Sequence, residues 1–413
     1  MNTRFKLISK GDIKMEFNTN QKEAIHTIDG NMVVIAAAGS GKTSVLTYRI
    51  LNMVKNYGVD PTTILAVTFS KKAKESIEQR LGKLGVANVN VETFHSLALK
   101  IITSTYGYGK YKVWTASWEK EKALKEICCD LLGLCRNKDD VPYNGILRFL
   151  GIQKTNMLGS TNSLIYSDDD PYPDDRMKKI YKMYEDYKKD KSYIEFDDFL
   201  NMANQCFDKF PDILKFYQNK YLYVLSDEFQ DVSMAQSLLL KRINNKNTMI
   251  VGDPLQAIYS FRGGRSEYIM QFDQNYSDVK IVHLNTNYRC STDIVRMANM
   301  LAQHIPDSKD KNYVESIASK GTNQLPEYRK FVSEYDEASW ICKKITEKRE
   351  NNEYRDMAVL ARTNAQLTIL QTVMSKHMIP YDVVNGVMFT ELPEIKLLIS
   401  YLKLALHEGD NSA

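Results

Sequence analysis

NMVVIAAAGSGKTSVLTYRIL, Asn31 to Leu51, decides the fold, because it changes character twice in quick succession. A short β-branched run, Met32 to Ile35, reads as a buried strand. The small residues Ala36-Ala37-Ala38-Gly39-Ser40-Gly41 read as a loop, and Lys42-Thr43-Ser44 opens a helical pattern with apolar Val45, Leu46, Ile50 and Leu51. Strand, small-residue loop and helix in that order make a phosphate cradle. Without bulky side chains, the backbone N–H groups of Ala38, Gly39, Ser40 and Gly41 can approach phosphate oxygens, and the helix N-terminus adds its dipole. Lys42 can reach the β- and γ-phosphates, and the Thr43 hydroxyl can ligate Mg2+. Ala36 stands where glycine is commonest, which weakens the sequence pattern and leaves the geometry intact.

A phosphate cradle of this kind needs carboxylates, and YLYVLSDEFQD, Tyr221 to Asp231, supplies them at the end of a second apolar run. Acids also begin the solvated loops after buried strands, so the pair alone would be ambiguous. Together with the cradle, Asp227 reads as the magnesium carboxylate and Glu228 as the general base that polarises the attacking water. A third block, TMIVGDPLQAIYSFRGG from Thr248 to Gly264, ends its strand in a turn. It places Gln256 to sense the γ-phosphate and Tyr259, Phe261 and Arg262 to meet bases and backbone, although aromatics of this kind can equally be core.

Composition is that expected of an ordinary soluble globular protein. The chain has 413 residues, 43% of them apolar and 26% charged, with a net charge of +4, which neither requires nor excludes a nucleic-acid partner. The N-terminal stretch MNTRFKLISKGDIKMEF has no apolar core of a signal peptide and no run is long enough to cross a bilayer, so the expectation is a cytoplasmic protein with no membrane partner. Cys128, Cys129, Cys135, Cys206, Cys290 and Cys342 lack metal-ligand spacing and read as reduced.

With these blocks in place, the chain resembles the superfamily 1 DNA helicases of the UvrD, PcrA and Rep type, from Phe17 to about Leu406. FNTNQKEAI resembles the adenine-reading block, which makes Gln21 the amide partner of the base. ILAVTFSKKAKESIEQRL and VETFHSLALKI resemble two DNA-contacting blocks, implying contacts from Thr68, Phe69, Thr93, Phe94 and His95. Lys71 replaces the usual asparagine, and DEFQD differs from the usual block at Phe229. LNTNYRCSTDIV implies that Tyr288 stacks on adenine and Arg289 meets the γ-phosphate, and Arg49 is a further nucleotide-contacting candidate. Each has a plainer reading: His95 as a satisfied helix-start histidine, Phe69 as core, Arg289 as a solvated cation.

The resemblance implies an α/β, P-loop NTPase fold, with RecA-like parallel sheets, an inserted helical subdomain and a second, incomplete RecA-like domain. The expected division is 1–104 and 194–288 for the first ATPase domain, 105–193 for the insertion and 289–413 for the second domain. Strands are expected at Met32–Ile35, Ile64–Phe69, Val89–Val91, Tyr221–Leu225, Thr248–Val251 and Ile281–Leu284, and later in MAVLAR and IPYDVVNG. In RMKKIYKMYEDYKKDKSY the interleaved tyrosines and lysines suit either a single-strand groove or a helix packed on its own core. ATP with Mg2+ as cofactors and single-stranded or partly duplex DNA as partner follow, with 3′ to 5′ movement. A motor subunit of a nuclease or defence complex, and a nucleotide-gated binding module, are the alternatives. The family's later blocks, H–KGLE and YVA–TRA, known as motifs V and VI, are not found after Glu394–Leu406. The expectation is a fragment or one half of a split helicase, completed by a partner polypeptide that supplies them.

Overall fold

A computed structural model describes residues 16–405 apart from 173, 245, 260–262, 306–313, 323–324 and 385–392. These residues form two compact units, Met1–Leu325 and Pro326–Ala413. In the first unit, in chain order, α1 (Thr19–His26), β1 (Met32–Ala36), α2 (Lys42–Asn56), β2 (Ile64–Thr68), α3 (Lys71–Lys83), β3 (Asn90–Thr93) and α4 (Phe94–Tyr106) come first. Then follow β4 (Lys112–Val113), α5 (Ser117–Lys125), α6 (Tyr143–Thr155), α7 (Asp175–Asp190), β5 (Tyr193–Ile194), α8 (Phe196–Lys209) and α9 (Pro211–Lys220). The unit continues with β6 (Tyr223–Ser226), α10 (Met234–Ile243), β7 (Thr248–Gly252), α11 (Glu267–Met270), α12 (Phe272–Asn275), β8 (Lys280–Leu284), β9 (Thr286–Asn287), α13 (Thr292–Ala302) and β10 (Ile317–Ala318).

All the pairings of the main sheet are parallel, in the order β3-β2-β6-β7-β1-β8. The six expected strands are therefore all present, and the sheet is the α/β architecture that the phosphate cradle implies. β1, β2 and β7 are buried throughout, as a sheet covered on both faces requires. On one face Val34, Ala66 and Leu225 pack with Val45, Leu46 and Ile50 of α2 and Ile77 of α3. On the other, Val33, Leu65 and Val224 pack with Phe94, Leu97 and Phe199. A parallel sheet brings the carboxyl ends of its strands to one edge, where ligands bind such folds. The loops after β1, β6 and β7 all lie there.

Between α4 and α8 a separate core gathers around Trp114, which stacks on Tyr184 at 5.7 Å and on Tyr193 at 4.9 Å between ring centroids. Tyr181 and Tyr184 of α7 belong to this core, so its tyrosines serve packing and form no groove.

Where this subdomain returns to the sheet, two buried lysines meet three carboxylates. Lys154 Nζ lies 3.0 Å from Glu185, 3.0 Å from Glu195 and 2.8 Å from Asp198, while Lys188 lies 2.8 Å from Glu185 and 2.7 Å from Asp198. Burial opposes the charged forms, but the lysines outweigh it, holding the Glu195 carboxyl well below its usual range and lowering that of Asp198. Lys154 is raised well above its ordinary value by the same carboxylates, against its own desolvation.

The second unit comprises α14 (Glu334–Lys348), α15 (Asn364–Lys376) and α16 (Pro393–Ala405), with Ala338, Cys342, Ile345, Leu370, Val373 and Met374 in its core. Its expected strands do not form among the described residues. Leu360 is 90% exposed, and a strand needs a neighbour for its backbone N–H and C=O groups, which the MAVLAR and IPYDVV segments lack here. The last two residues of IPYDVVNG lie outside the described residues. No helix among the described residues is long and apolar enough to cross a membrane.

Lys154→Ala should lower stability by about 3–5 kcal/mol, because it removes the buried cation that Glu185, Glu195 and Asp198 share and leaves them to Lys188 and Lys120. Urea unfolding measures this. Since the Glu195 and Asp198 values are depressed, the stability they contribute is present above about pH 4 and is lost as the pH falls further. Acid should therefore destabilise wild type more than Lys154→Met.

Candidate nucleotide site

The loop after β1 is shaped by glycines at two positions where no other residue fits. Gly39 has φ +70°, and a Cβ there would sit 2.8 Å from the Arg289 Cβ and 2.9 Å from the Asn287 Oδ1. Gly41, at φ +87°, packs 3.2 Å from the Gln21 amide nitrogen. The loop is anchored at its base by Ala37 N–H donating to Leu284 O at 2.9 Å. Ala38 is exposed at its tip, Ser40 is buried, and Ser44 is half-buried in the first turn of α2.

At the C-terminal end of β6 the two carboxylates face this loop differently. Asp227 is buried and its Oδ2 accepts from Thr43 Oγ1 at 3.1 Å. Glu228 adopts left-handed backbone, φ +51°, which turns its side chain out to a half-exposed position, and its Oε2 lies 3.0 Å from Lys42 Nζ. Such strain in a non-glycine residue is tolerated where the site over-determines it. The Lys42 ammonium meets Glu228 as an ion pair without the alignment of a hydrogen bond. Burial, reinforced by the Glu228 charge and only partly offset by Lys42, pushes the Asp227 carboxyl up to about 6.

Gln230 joins this pair to β7. Its Nε2 donates to Glu228 Oε2 at 2.9 Å and its Oε1 accepts from Asp253 N–H at 3.0 Å. The Asp253 carboxylate in turn accepts from Gln256 Nε2 at 2.6 Å, so Gln256 reaches the site through Asp253. Burial raises Asp253, and Gln256 counters it. Gln230 is 2% exposed and was not singled out by sequence. The signal was present in DEFQD, where a glutamine follows the acids into a buried 3-10 turn.

Other candidates divide. Gln21 reaches the loop, where its Nε2 donates to Ser40 O at 2.9 Å and its Oε1 accepts from Asn18 N–H, so its amide braces the cradle from a buried position. Tyr288 N–H donates to Gly39 O at 3.0 Å, and its hydroxyl accepts from Asn18 Nδ2 at 2.8 Å. Arg289 is exposed alongside the same loop, its N–H held by Asn287 Oδ1 at 2.8 Å. Asn18 and Asn287, both outside the sequence-based set, thus position these residues.

Arg49 requires correction. It is 2% exposed, and its guanidinium donates to Ala24 O at 2.7 Å and Ile28 O at 3.0 Å, tying α2 to the end of α1 and away from the phosphate loop. Burial brings it down to about 10.

Two of the DNA-contact candidates are also core residues. Thr68 is fully buried at the end of β2 and Phe94 is 1% exposed, because both point into the layers on either side of the sheet. Thr93 caps α4 by accepting from Ser96 N–H at 3.1 Å. His95 is half-buried beside Phe196 and Phe199, and burial lowers its basicity. Phe69 and Tyr259 pair at 4.8 Å between centroids and are both half-buried. Phe261 and Arg262 lie outside the described residues.

The cradle suits a magnesium nucleotide. A buried ammonium, a threonine hydroxyl and a buried carboxylate converge at a helix N-terminus, and the Ser40 hydroxyl is buried there without a partner.

Comparisons with known proteins agree. Residues 17–277 match the UvrD/REP helicase N-terminal domain, and residues 282–413 match the UvrD-like helicase C-terminal domain. The chain is 30% identical over 403 residues to the ATP-dependent DNA helicase PcrA of Staphylococcus epidermidis, covering 95% of this chain and 54% of that protein. The PcrA of Staphylococcus aureus is 30% identical over 404 residues, with the same coverage. The chain thus spans about half the length of the curated relatives it matches.

Since a divalent ion binds the ionised carboxylate, Mg2+ with ADP should displace the Asp227 proton below about pH 6. Calorimetry at pH 5.5 in buffers of different ionisation enthalpy should show more proton release by wild type than by Asp227→Asn. At pH 7.5 the two should agree.

Proposed function

The chain belongs to the UvrD/PcrA/Rep-type helicases, and from that premise we propose that it is an ATP-hydrolysing motor that moves along single-stranded DNA and separates strands. The observation that carries the reading is the meeting of Lys42, Thr43, Asp227 and Glu228 at the carboxyl edge of one parallel sheet. When bound, ATP with Mg2+ supplies the phosphoryl transfer to water that drives movement. Lys42 would neutralise phosphate charge, Thr43 and Asp227 would hold the ion, and Glu228 would accept the water proton on its carboxylate. Tyr288 offers its ring to the base, and Arg289 supplies a cation from beside Gly39. The bonds from Gln230 to Glu228 and from Gln256 to Asp253 carry the state of this edge to the loop that bears Tyr259.

Phe69 and Tyr259 offer aromatic faces for bases, with Thr93 at the end of the neighbouring strand β3 and His95 in the first turn of α4 as further contacts. Stacking and phosphate contacts carry little base code, so binding is independent of sequence. Movement from 3′ to 5′ and a cytoplasmic setting follow from the family reading. Nothing among the described residues supports a separate polypeptide supplying motifs V and VI, and the proposal includes none.

Lys42→Ala and Glu228→Gln should each lower DNA-stimulated ATP turnover by a factor of a hundred or more, on the order of the effects of removing transition-state contacts. Melting temperatures should stay near wild type, and Glu228→Gln should still bind nucleotide. Steady-state phosphate release reads the effect, and undiminished turnover in Glu228→Gln would remove it as the base. Strand displacement by wild type separates a helicase from a motor subunit that only hydrolyses ATP and from a module that only binds.

Tyr259→Ala should weaken oligothymidine binding by about 1–3 kcal/mol if its ring carries a base. Unchanged affinity with a lower melting temperature would assign the ring to packing with Phe69.

A further inference from the structure

Thr68 is fully buried, and its burial leaves a hydroxyl to be explained. Oγ1 is buried and has no hydrogen-bond partner, at the last residue of β2. Buried hydroxyls are rarely left so, and each case asks for a bound water, an ion or a catalytic use. The register says what the hydroxyl faces. Ile64 pairs with Tyr223, Ala66 with Leu225 and Val67 with Ser226, and Asp227 N–H then donates to Val67 O at 3.1 Å, which sets Thr68 directly across from Asp227. Residues in register share a face, and Ala66 and Leu225 lie on the face covered by α2, whose first turn carries Lys42 and Thr43.

Asp227 has acceptor capacity to spare. An ionised carboxylate offers about four acceptor positions, and two are filled: Oδ2 by the Thr43 hydroxyl and Oδ1 by the N–H of Glu228. At 3% exposure, bulk solvent does not fill the others. A buried donor without a partner and a buried acceptor with open positions therefore stand at opposed ends of neighbouring strands.

We propose that Thr68 is a positioning residue for Asp227, its hydroxyl donating to that carboxylate through a single bound water and fixing the orientation in which Asp227 holds the magnesium ion. This rests on the nucleotide-site reading above and deepens it. Thr68 touches neither ion nor phosphate and acts through Asp227. The same register places Thr93, the cap of α4, on the other side of Thr68, so the row Thr93, Thr68 and Asp227 crosses three adjacent strand ends.

The test compares wild type, Thr68→Val, Thr68→Ala and Thr68→Ser in binding a fluorescent ADP, with Mg2+ and with EDTA. Valine keeps the shape and removes the hydroxyl, and serine restores it. The expected result is a loss of at least fivefold in the Mg2+-dependent gain of affinity for Thr68→Val, with recovery to within twofold of wild type in Thr68→Ser. Affinity in EDTA should be unchanged and the Thr68→Val melting temperature no lower than wild type, since a purely structural role would move these and spare the Mg2+ dependence. Should Thr68→Val not fold, Thr68→Ala gives the same comparison. Full Mg2+ enhancement in the hydroxyl-free variant overturns the assignment. Wild type that binds Mg2+ and ADP yet never hydrolyses ATP with DNA defeats the motor reading and leaves this comparison decisive, while wild type without any Mg2+ enhancement defeats both.

Discussion

One ammonium and two carboxylates share the carboxyl edge of a parallel sheet, and much of the arrangement follows from keeping them there. Lys42 can be buried because Glu228 lies 3.0 Å away, and Asp227 can be buried because Thr43 and a backbone N–H bond it while its carboxyl sits near 6. Such a group is costly alone and becomes favourable when a polyanion and a divalent cation enter together. The sheet order, with β1 between β7 and β8 and β6 beside β7, places the loop, the acids and the turn at Asp253 within reach of one another.

Around that edge the structure is braced by amides. Gln21, Gln230 and Asn287 each accept a backbone N–H, and the first two also donate, to Ser40 and Glu228. A glutamine amide can bond two elements at once without a net charge, so it fixes loop geometry and leaves the field of the carboxylates unaltered. The inserted subdomain uses the opposite device, a buried group of lysines and acids joining α6, α7 and α8, which is strong only while every member is present.

The phosphate loop and the acidic pair were legible because each is a contiguous word: a buried strand followed at once by its chemistry. The strands and their parallel arrangement were legible too, since β-branched runs separated by helices leave a parallel sheet as the economical arrangement, while the strand order was not read from the sequence. Side-chain direction was less so. Arg49, Thr68 and Phe94 all sit in the correct blocks, yet one residue of phase on a strand or helix turns each into the core. Gln230, Asn18 and Asn287 act through partners distant in sequence or through a tight turn, which spacing alone does not disclose. In the second unit the β-like pattern of Met357 to Leu360 was read as a strand, but a pattern states what a segment can pair with and does not supply the neighbour.

The most direct test of the account is a crystal structure of this chain with Mg2+ and a non-hydrolysable ATP analogue. The account predicts Lys42 Nζ released from Glu228 and set on a phosphate oxygen, Thr43 Oγ1 and Asp227 on the ion, and Glu228 beside an ordered water in line with the terminal phosphate. An analogue seated away from the Gly39–Gly41 loop, or a Lys42 still paired with Glu228 in its presence, would contradict it.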